Sequence, residues 1–366
     1  PDTEIGRVAT ALDEMLDDLR RLVETESPSD DPEALRRSAE VLAEVISSRL
    51  GPGVEIIEGP AGPHVRWSGS DRPRVLVLGH HDTVFPLGTL ERRPFAVVDG
   101  RATGPGVFDM KAGIVQAVWG VAASGHAESV ELLFSCDEEV GSLSSRAMIE
   151  ERALDCGAVL VLEPSADGGA LKIGRKGTGT FQVTVQGRAS HAGLDPEKGV
   201  NSLVEAAHQV LAVAALADPT RGTTVTPTVA HGGTADNVVP AETTIRVDVR
   251  VTGPDEAARV EAAMASLTPV DPATSISVSG AVGRPPMPEG SAGELLGLAR
   301  EHDPSIGAVV VGGGSDGNFT AAVGVPTLDG MGAVGGGAHA DHEHVLVETM
   351  PDRARLVAAV VSARCA

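Results

Sequence analysis

Apolar residues recur at helical spacing at the start of the chain (Val8, Leu12, Leu16, Leu19, Val23), which predicts a helix from Ile5 to about Glu26. A second helix is predicted from Pro32 to Leu50, with Pro32 near its start and Gly51 just past its end. The pattern then changes to short continuous apolar runs. Arg74-Val75-Leu76-Val77-Leu78-Gly79 reads as a buried strand stopped by glycine. Lys111 to Ala123 reads as an apolar helix, and Val130–Ser135 and Ala158–Leu162 as two more buried strands. Strands alternating with helices predict an α/β layer built on a mixed, mostly parallel sheet.

Near Lys176 the texture shifts to half-exposed patterns. Thr180–Val185 alternates as a strand, and Val200–Leu216 is an amphipathic helix. Val225–Ala230 and Thr243–Val251 read as strands, Asp255–Leu267 as a helix and Ser275–Val282 as a strand. The order βαββαβ is that of a ferredoxin-like unit. After Pro285-Pro286 the chain returns to a helix (Ala292–Glu301), an apolar strand (Ala308–Val311), glycine-rich loops and a final helix. The expected organisation is one discontinuous domain, 1–176 with 285–366, interrupted by a second domain, 177–284.

A length of 366 residues fits two domains. Aromatic residues are only 2% and there is no Tyr, so the core must be built from Val, Leu, Ile and Ala. The net charge of −22 argues against nucleic acid and anionic membranes as partners. No stretch is apolar for 18 residues, so no membrane span is expected. The N-terminus opens with Pro1, Asp2 and Glu4 and shows no signal-peptide pattern. Three cysteines (Cys136, Cys156, Cys365) make no disulfide framework and fit a reducing compartment, so a cytoplasmic protein is expected.

Polar residues cluster where strands are predicted to end, which is where open α/β sheets build their sites. In Gly79-His80-His81-Asp82-Thr83-Val84, His80 and Asp82 share a face of extended chain, as a metal-binding His and its orienting carboxylate do; a polar loop is the alternative. In Gly104-Pro105-Gly106-Val107-Phe108-Asp109, the acid stands at a helix start and could simply cap it. Asp137-Glu138-Glu139 brings three acids together after an apolar strand, which is costly unless a cation neutralises them or water solvates them. Glu163 follows another strand. Gly337-Ala338-His339-Ala340-Asp341-His342-Glu343-His344 holds three His, read as one ligand and two surface bystanders. Cys136 reads as strand-end packing, because the other donors are hard oxygen and nitrogen.

Taken together, the segments GHHDTV, GPGVFDMKAG, DEEVGS, LEPS, ASHAG, ADNVVPAE, VDVR, GGGSDG and GAHADHEHV resemble, in order, the zinc metallopeptidase and deacylase family. That family includes glutamate carboxypeptidase, acetylornithine deacetylase, succinyl-diaminopimelate desuccinylase and aminoacylase. The resemblance spans essentially the whole chain and is nearest the glutamate carboxypeptidase branch. It implies a zinc-binding catalytic domain with an inserted lid and dimerisation domain.

By the same resemblance, Asp109 would bridge two Zn²⁺ per chain, with Co²⁺ or Mn²⁺ as substitutes. His80 and Glu163 would complete one site, Glu139 and His339 the other. Glu138 would be the general base, Asp82 would orient His80, and His191 would bind the oxyanion. Arg250 resembles the family's carboxylate-binding Arg. From the residues themselves, the backbone N–H groups of Gly312-Gly313-Gly314 form a candidate anion nest, Asn237 could hydrogen-bond the reacting centre, and Arg284 and Lys172 are weaker candidates. The chain departs from the simplest family pattern at the doubled His80-His81 and at the extra His342 and His344. His80 is chosen over His81 for its spacing to Asp82. The expected activity is hydrolysis of an amide beside a free carboxylate, by a carboxypeptidase or an N-acyl amino acid hydrolase acting as a homodimer. The alternatives are a biosynthetic deacetylase or desuccinylase and an inactive ligand-binding relative.

Overall fold

A computed structural model describes Val8 and residues 11–366. The predicted first helix is seen from Leu12 to Val23; its expected start at Ile5 lies outside the described residues. The contacts divide the chain into two units, 1–174 with 289–311 and 315–366, and 175–288 with 312–314.

The first unit is built on a six-stranded sheet, in the order Val54–Glu58, Pro63–Ser68, Val130–Ser135, Val75–His80, Val159–Val161, Thr327–Leu328. The last four strands pair in parallel and the first two are antiparallel additions at one edge. The central strands are almost wholly apolar because both faces are covered; the exception inside them, the buried Glu131, is paired with Arg66 and Arg152. Val75 and Val77 pack into the larger core with the helices Leu12–Val23, Pro32–Leu50, Ala112–Ala123 and Met350–Cys365. Leu76 and Leu78 point the other way, against Ile149, Ala153 and Phe319. Local signals explain the helix ends. Asp31 accepts the Ala34 N–H and Pro32 opens the helix, while Gly51 takes a left-handed φ of 82° after it. A Cβ on Gly120 would stand 2.6 Å from the Ala354 carbonyl oxygen, so glycine is what lets the final helix pack closely on Ala112–Ala123.

The second unit is an antiparallel sheet in the order Thr224–Gly232, Glu242–Val251, Gly177–Gln186, Ser275–Arg284. With helices Ser202–Ala214 and Pro254–Ala265 it is the ferredoxin-like arrangement, its first and third long strands in the centre. Gly177–Gln186 alternates buried and exposed because only one sheet face meets the core of Phe181, Val183, Val185, Ile245, Val247 and Val260.

Candidate metal centre

Three neighbouring parallel strands, Val130–Ser135, Val75–His80 and Val159–Val161, end on one edge of the main sheet. Polar residues too costly for the strand interiors begin there. His80 is the last residue of its strand, Glu138 and Glu139 form a short turn after Ser135, and Glu163 lies two residues past Val161. Two further segments converge on them. Asp109 sits in the turn Val107–Lys111, and His339 lies in the loop between Gly335–Gly336 and His344–Leu346. The latter strand pairs with Arg101–Thr103, so the two segments are brought together by a shared small sheet.

Asp109 does not cap the following helix; its backbone is non-helical (φ −110°, ψ 85°) and its carboxylate faces two imidazoles. Oδ1 lies 3.5 Å from His80 Nε2 and Oδ2 lies 3.1 Å from His339 Nε2. His80 Nε2 is also 3.5 Å from Glu163 Oε1, and His339 Nε2 is 3.1 Å from Glu139 Oε2. Two His–carboxylate groups therefore share one aspartate. Glu138, with a ligand-type oxygen within 4.8 Å of those of His80 and Glu163, stands beside the first group.

These residues fit a metal. Asp109 Oδ1 and Glu139 Oε1 are buried without a hydrogen-bond partner, which is costly for an ionised carboxylate unless a cation faces it. Two imidazoles and three carboxylates are a donor set for zinc, cobalt or manganese. The electrostatics agree. Burial opposes ionisation of Asp109, but His339 and His80 hold its carboxyl below the usual range. Asp109 and Glu139 push His339 up to about 10. Burial works against a charged His80, yet Asp109, Asp82 and Glu163 raise it well above an ordinary imidazole.

The two adjacent histidines have different partners. His80 Nδ1 lies 3.0 Å from the Asp82 carbonyl and 3.3 Å from its Oδ1, which directs Nε2 at the acids. His81 is turned away, its ring nitrogens engaged by Ser38 Oγ and the Pro63 carbonyl, and burial pushes it down to about 4. His344 is held by the His342 carbonyl and faces Arg101. Cys136 is buried. With His64 and Asp137 it forms another compact group, but the His64 and Asp137 atoms are taken by the Cys136 N–H, Ser144 and Ser145.

Asp82 does more than orient His80. Its Oδ1 accepts the Glu138 N–H, and its Oδ2 accepts the Glu139 N–H and the Ser29 hydroxyl. Glu343, in the loop of His339, is fully buried and accepts the N–H groups of Gly106, Phe108 and Asp109. Ser29 and Glu343 were not legible in the sequence. Glu343 stands in a His-rich tract that reads as surface.

In the second unit His191 pairs across a two-stranded bridge with Val238, next to the exposed Asn237. His191 Nδ1 accepts the N–H groups of Gly193 and Leu194, which places the proton of the neutral ring on Nε2. Arg250 donates from Nε and Nη2 to the two oxygens of Asp248. Arg284 is buried, beside Gly314, and Arg175 donates to the carbonyls of Gly313 and Gly314.

Comparison with known proteins shows the family to which the chain belongs. Residues 76–363 match the model of peptidase family M20/M25/M40. Carboxypeptidase G2 of Pseudomonas sp. (strain RS-16) is 33% identical over 80% of this chain and 74% of its own length. Succinyl-diaminopimelate desuccinylase of Acidiphilium cryptum (strain JF-5) is 32% identical over 66% of this chain and 70% of its own. Among solved structures, aminopeptidase PepT of Bacillus cereus ATCC 10987 superposes with a TM-score of 0.76 at 20% identity, covering 97% of this chain and 99% of that one. An M20 family metallo-carboxypeptidase of Sulfolobus solfataricus gives 0.75 at 14% identity, covering 96% and 99%. The chain is a hydrolase that belongs to peptidase family M20/M25/M40.

Proposed function

We propose that the chain is a two-zinc amidohydrolase that cleaves an amide beside a free carboxylate, as a carboxypeptidase or an N-acyl amino acid hydrolase. The observation that carries this reading is Asp109, one carboxylate oxygen facing His80 and the other facing His339. His80 and Glu163 would hold one ion, Glu139 and His339 the other, and Asp109 both. When bound, two such cations supply Lewis acidity toward a carbonyl and acidify a water molecule. Glu138 takes the proton of the attacking water and returns it to the leaving amine. Asp82 holds the Glu138 turn by its backbone N–H. His191, with its ring proton on Nε2, donates to the developing oxyanion.

Arg250, Arg284, Asn237 and the backbone of Gly313 and Gly314 are the proposed substrate contacts. A substrate carboxylate reaching Arg250 must share or displace Asp248, so it competes with an internal anion. The similarity to a carboxypeptidase favours release of a C-terminal amino acid. The desuccinylase similarity favours the second reading, a biosynthetic deacylase. The three free cysteines support a reducing, cytoplasmic setting, and among the described residues no helix is long and apolar enough to cross a membrane. Dimerisation through the second unit is supported by exposed Leu203, Val204 and Leu211 on one helix and by the edge strand Thr224–Gly232.

A screen of N-acyl amino acids and of peptides ending in Glu or Asp, with added zinc or cobalt, tests the reading. Metal-dependent release of the C-terminal amino acid is the expected result. Turnover confined to N-acetylornithine or N-succinyl-diaminopimelate would select the biosynthetic reading, and no metal-dependent turnover would reject both.

A further inference from the structure

The chemistry proposed above requires the bridging carboxylate of Asp109 and the imidazole of His339 to meet at a fixed distance, yet neither residue stands on a strand or a regular helix. Asp109 is held in a turn preceded by two glycines. Gly106 has a left-handed φ of 71°, and a Cβ there would come within 2.5 Å of Thr83 Cγ2. His339 is itself a non-glycine residue at φ 61°, a conformation that survives only where its surroundings over-determine it. Both segments therefore need an external brace.

Glu343 is the group that touches them both. It lies four residues past His339, in a loop closed by the Ala340 N–H to the Gly337 carbonyl and the Glu343 N–H to the Ala340 carbonyl. It enters the strand that pairs His344 with Thr103, and this register sets its side chain beside Gly104–Asp109. Its Oε2 accepts the Gly106 N–H at 3.0 Å, and its Oε1 accepts the N–H groups of Phe108 and Asp109, both at 2.9 Å. Three backbone donors from one turn thus converge on one fully buried carboxylate. The Arg93 guanidinium, stacked over Phe85, stands 3.7 Å away. Carboxylates bonded to backbone N–H groups are among the stronger hydrogen-bonded contacts, and a burial this complete is not needed for a surface loop.

We infer that Glu343 is a positioning residue for the metal centre: it locks the Asp109 turn and the His339 loop into one rigid body, so that one carboxylate can serve both ion sites. Its partners are backbone N–H groups and Arg93, not the side chains proposed to hold the ions. It acts by fixing the direction of Asp109 and the spacing to His339. This inference rests on the proposed metal reading.

The test uses the full-length chain, stripped of metal and titrated with Zn²⁺ and Co²⁺. Variants are Glu343→Gln, which turns one acceptor into a donor against the turn, and Glu343→Asp, which withdraws the carboxylate by one methylene. Zinc affinity is expected to fall about 10- to 100-fold in the Gln variant, the usual effect of losing an outer partner of a metal ligand. A smaller fall is expected in the Asp variant. The Co²⁺ absorption spectrum, which reports ligand geometry, should change in both, with kcat reduced more than KM. Variants that lose thermal stability but keep wild-type affinity and an unchanged cobalt spectrum would overturn the inference, because Glu343 would then be a fold residue only. If the Gln variant does not fold, the Asp variant decides alone: wild-type affinity there rejects positioning. A wild-type chain that binds no metal would reject the metal reading itself, a result distinct from a normal wild type with normal variants.

Discussion

Asp82 and Glu138 are joined by a 3.2 Å hydrogen bond from the Glu138 backbone N–H to Asp82 Oδ1, so the residue that aims His80 also holds the proposed base. The same carboxylate takes the Glu139 N–H on its other oxygen. Asp82→Ala should therefore damage metal binding and proton transfer together. Loss of activity by at least 10²-fold, with zinc affinity weakened about 10- to 100-fold, is expected. Asp82→Asn keeps one acceptor and should fall between. Metal titration and steady-state kinetics on the same preparations check this; an Ala variant with wild-type affinity would separate Asp82 from the centre.

Glu138 and Asp109 should fail in different ways. Glu138→Gln is expected to retain metal while turnover drops about 10²–10⁴-fold, the usual contribution of a general base. Asp109→Ala should lose metal as well, since both His–carboxylate groups depend on that side chain. Metal analysis after dialysis distinguishes them. Near-normal turnover by Glu138→Gln would remove it as the base.

How far the sequence led is clearest at the strand ends. His80, Glu138, Glu139 and Glu163 were legible because an apolar run stops and polar residues begin, and parallel pairing forces such ends together. The fold class was legible for the same reason. The edge strands Val54–Glu58 and Pro63–Ser68 were not, because Gly59, Pro60, Gly62 and Pro63 mask their short pattern and the outer strand is half exposed. Ala308–Val311 read as an apolar strand, but it lies outside the main sheet and exposes Val309 and Val310. Glu343 escaped for a deeper reason. Its role is to accept N–H groups from a turn more than 230 residues away, and backbone donors leave no mark in a sequence.

The second unit carries a carboxylate whose pH dependence can be isolated from the metal chemistry. Glu256 accepts hydrogen bonds from Arg259, Thr223 and Arg221, and these lower its carboxyl to about 2. A group whose folded value is depressed binds its proton more readily when unfolded. Its stabilisation is therefore complete above the ordinary carboxyl value near 4.5 and is lost as pH falls toward 2. Glu256→Gln should lower the Tm at pH 7 and leave a shallower fall of Tm between those two values. Parallel wild-type and variant curves across that window would show that the three bonds contribute no linkage.

The last prediction concerns assembly. His191 belongs to the second unit, while the carboxylates and imidazoles of the metal centre belong to the first. Its Nδ1 is fixed by two backbone N–H groups, so the ring presents one defined donor, Nε2–H. If the chain is a dimer through the second unit, that donor can serve the centre of the partner subunit. Two inactive proteins, Glu138→Gln and His191→Ala, test this when mixed and allowed to exchange subunits. In a hybrid dimer one site joins an intact Glu138 from one chain to an intact His191 from the other. Equal mixing makes half the dimers hybrid with one competent site of two, so recovery of about a quarter of wild-type activity is expected. Sedimentation must first show the dimer and its exchange. A dimer that exchanges and recovers nothing would assign His191 to its own chain or to no catalytic role. A monomer would remove action in trans while leaving the roles of Asp109 and Glu138 to be judged by their own variants.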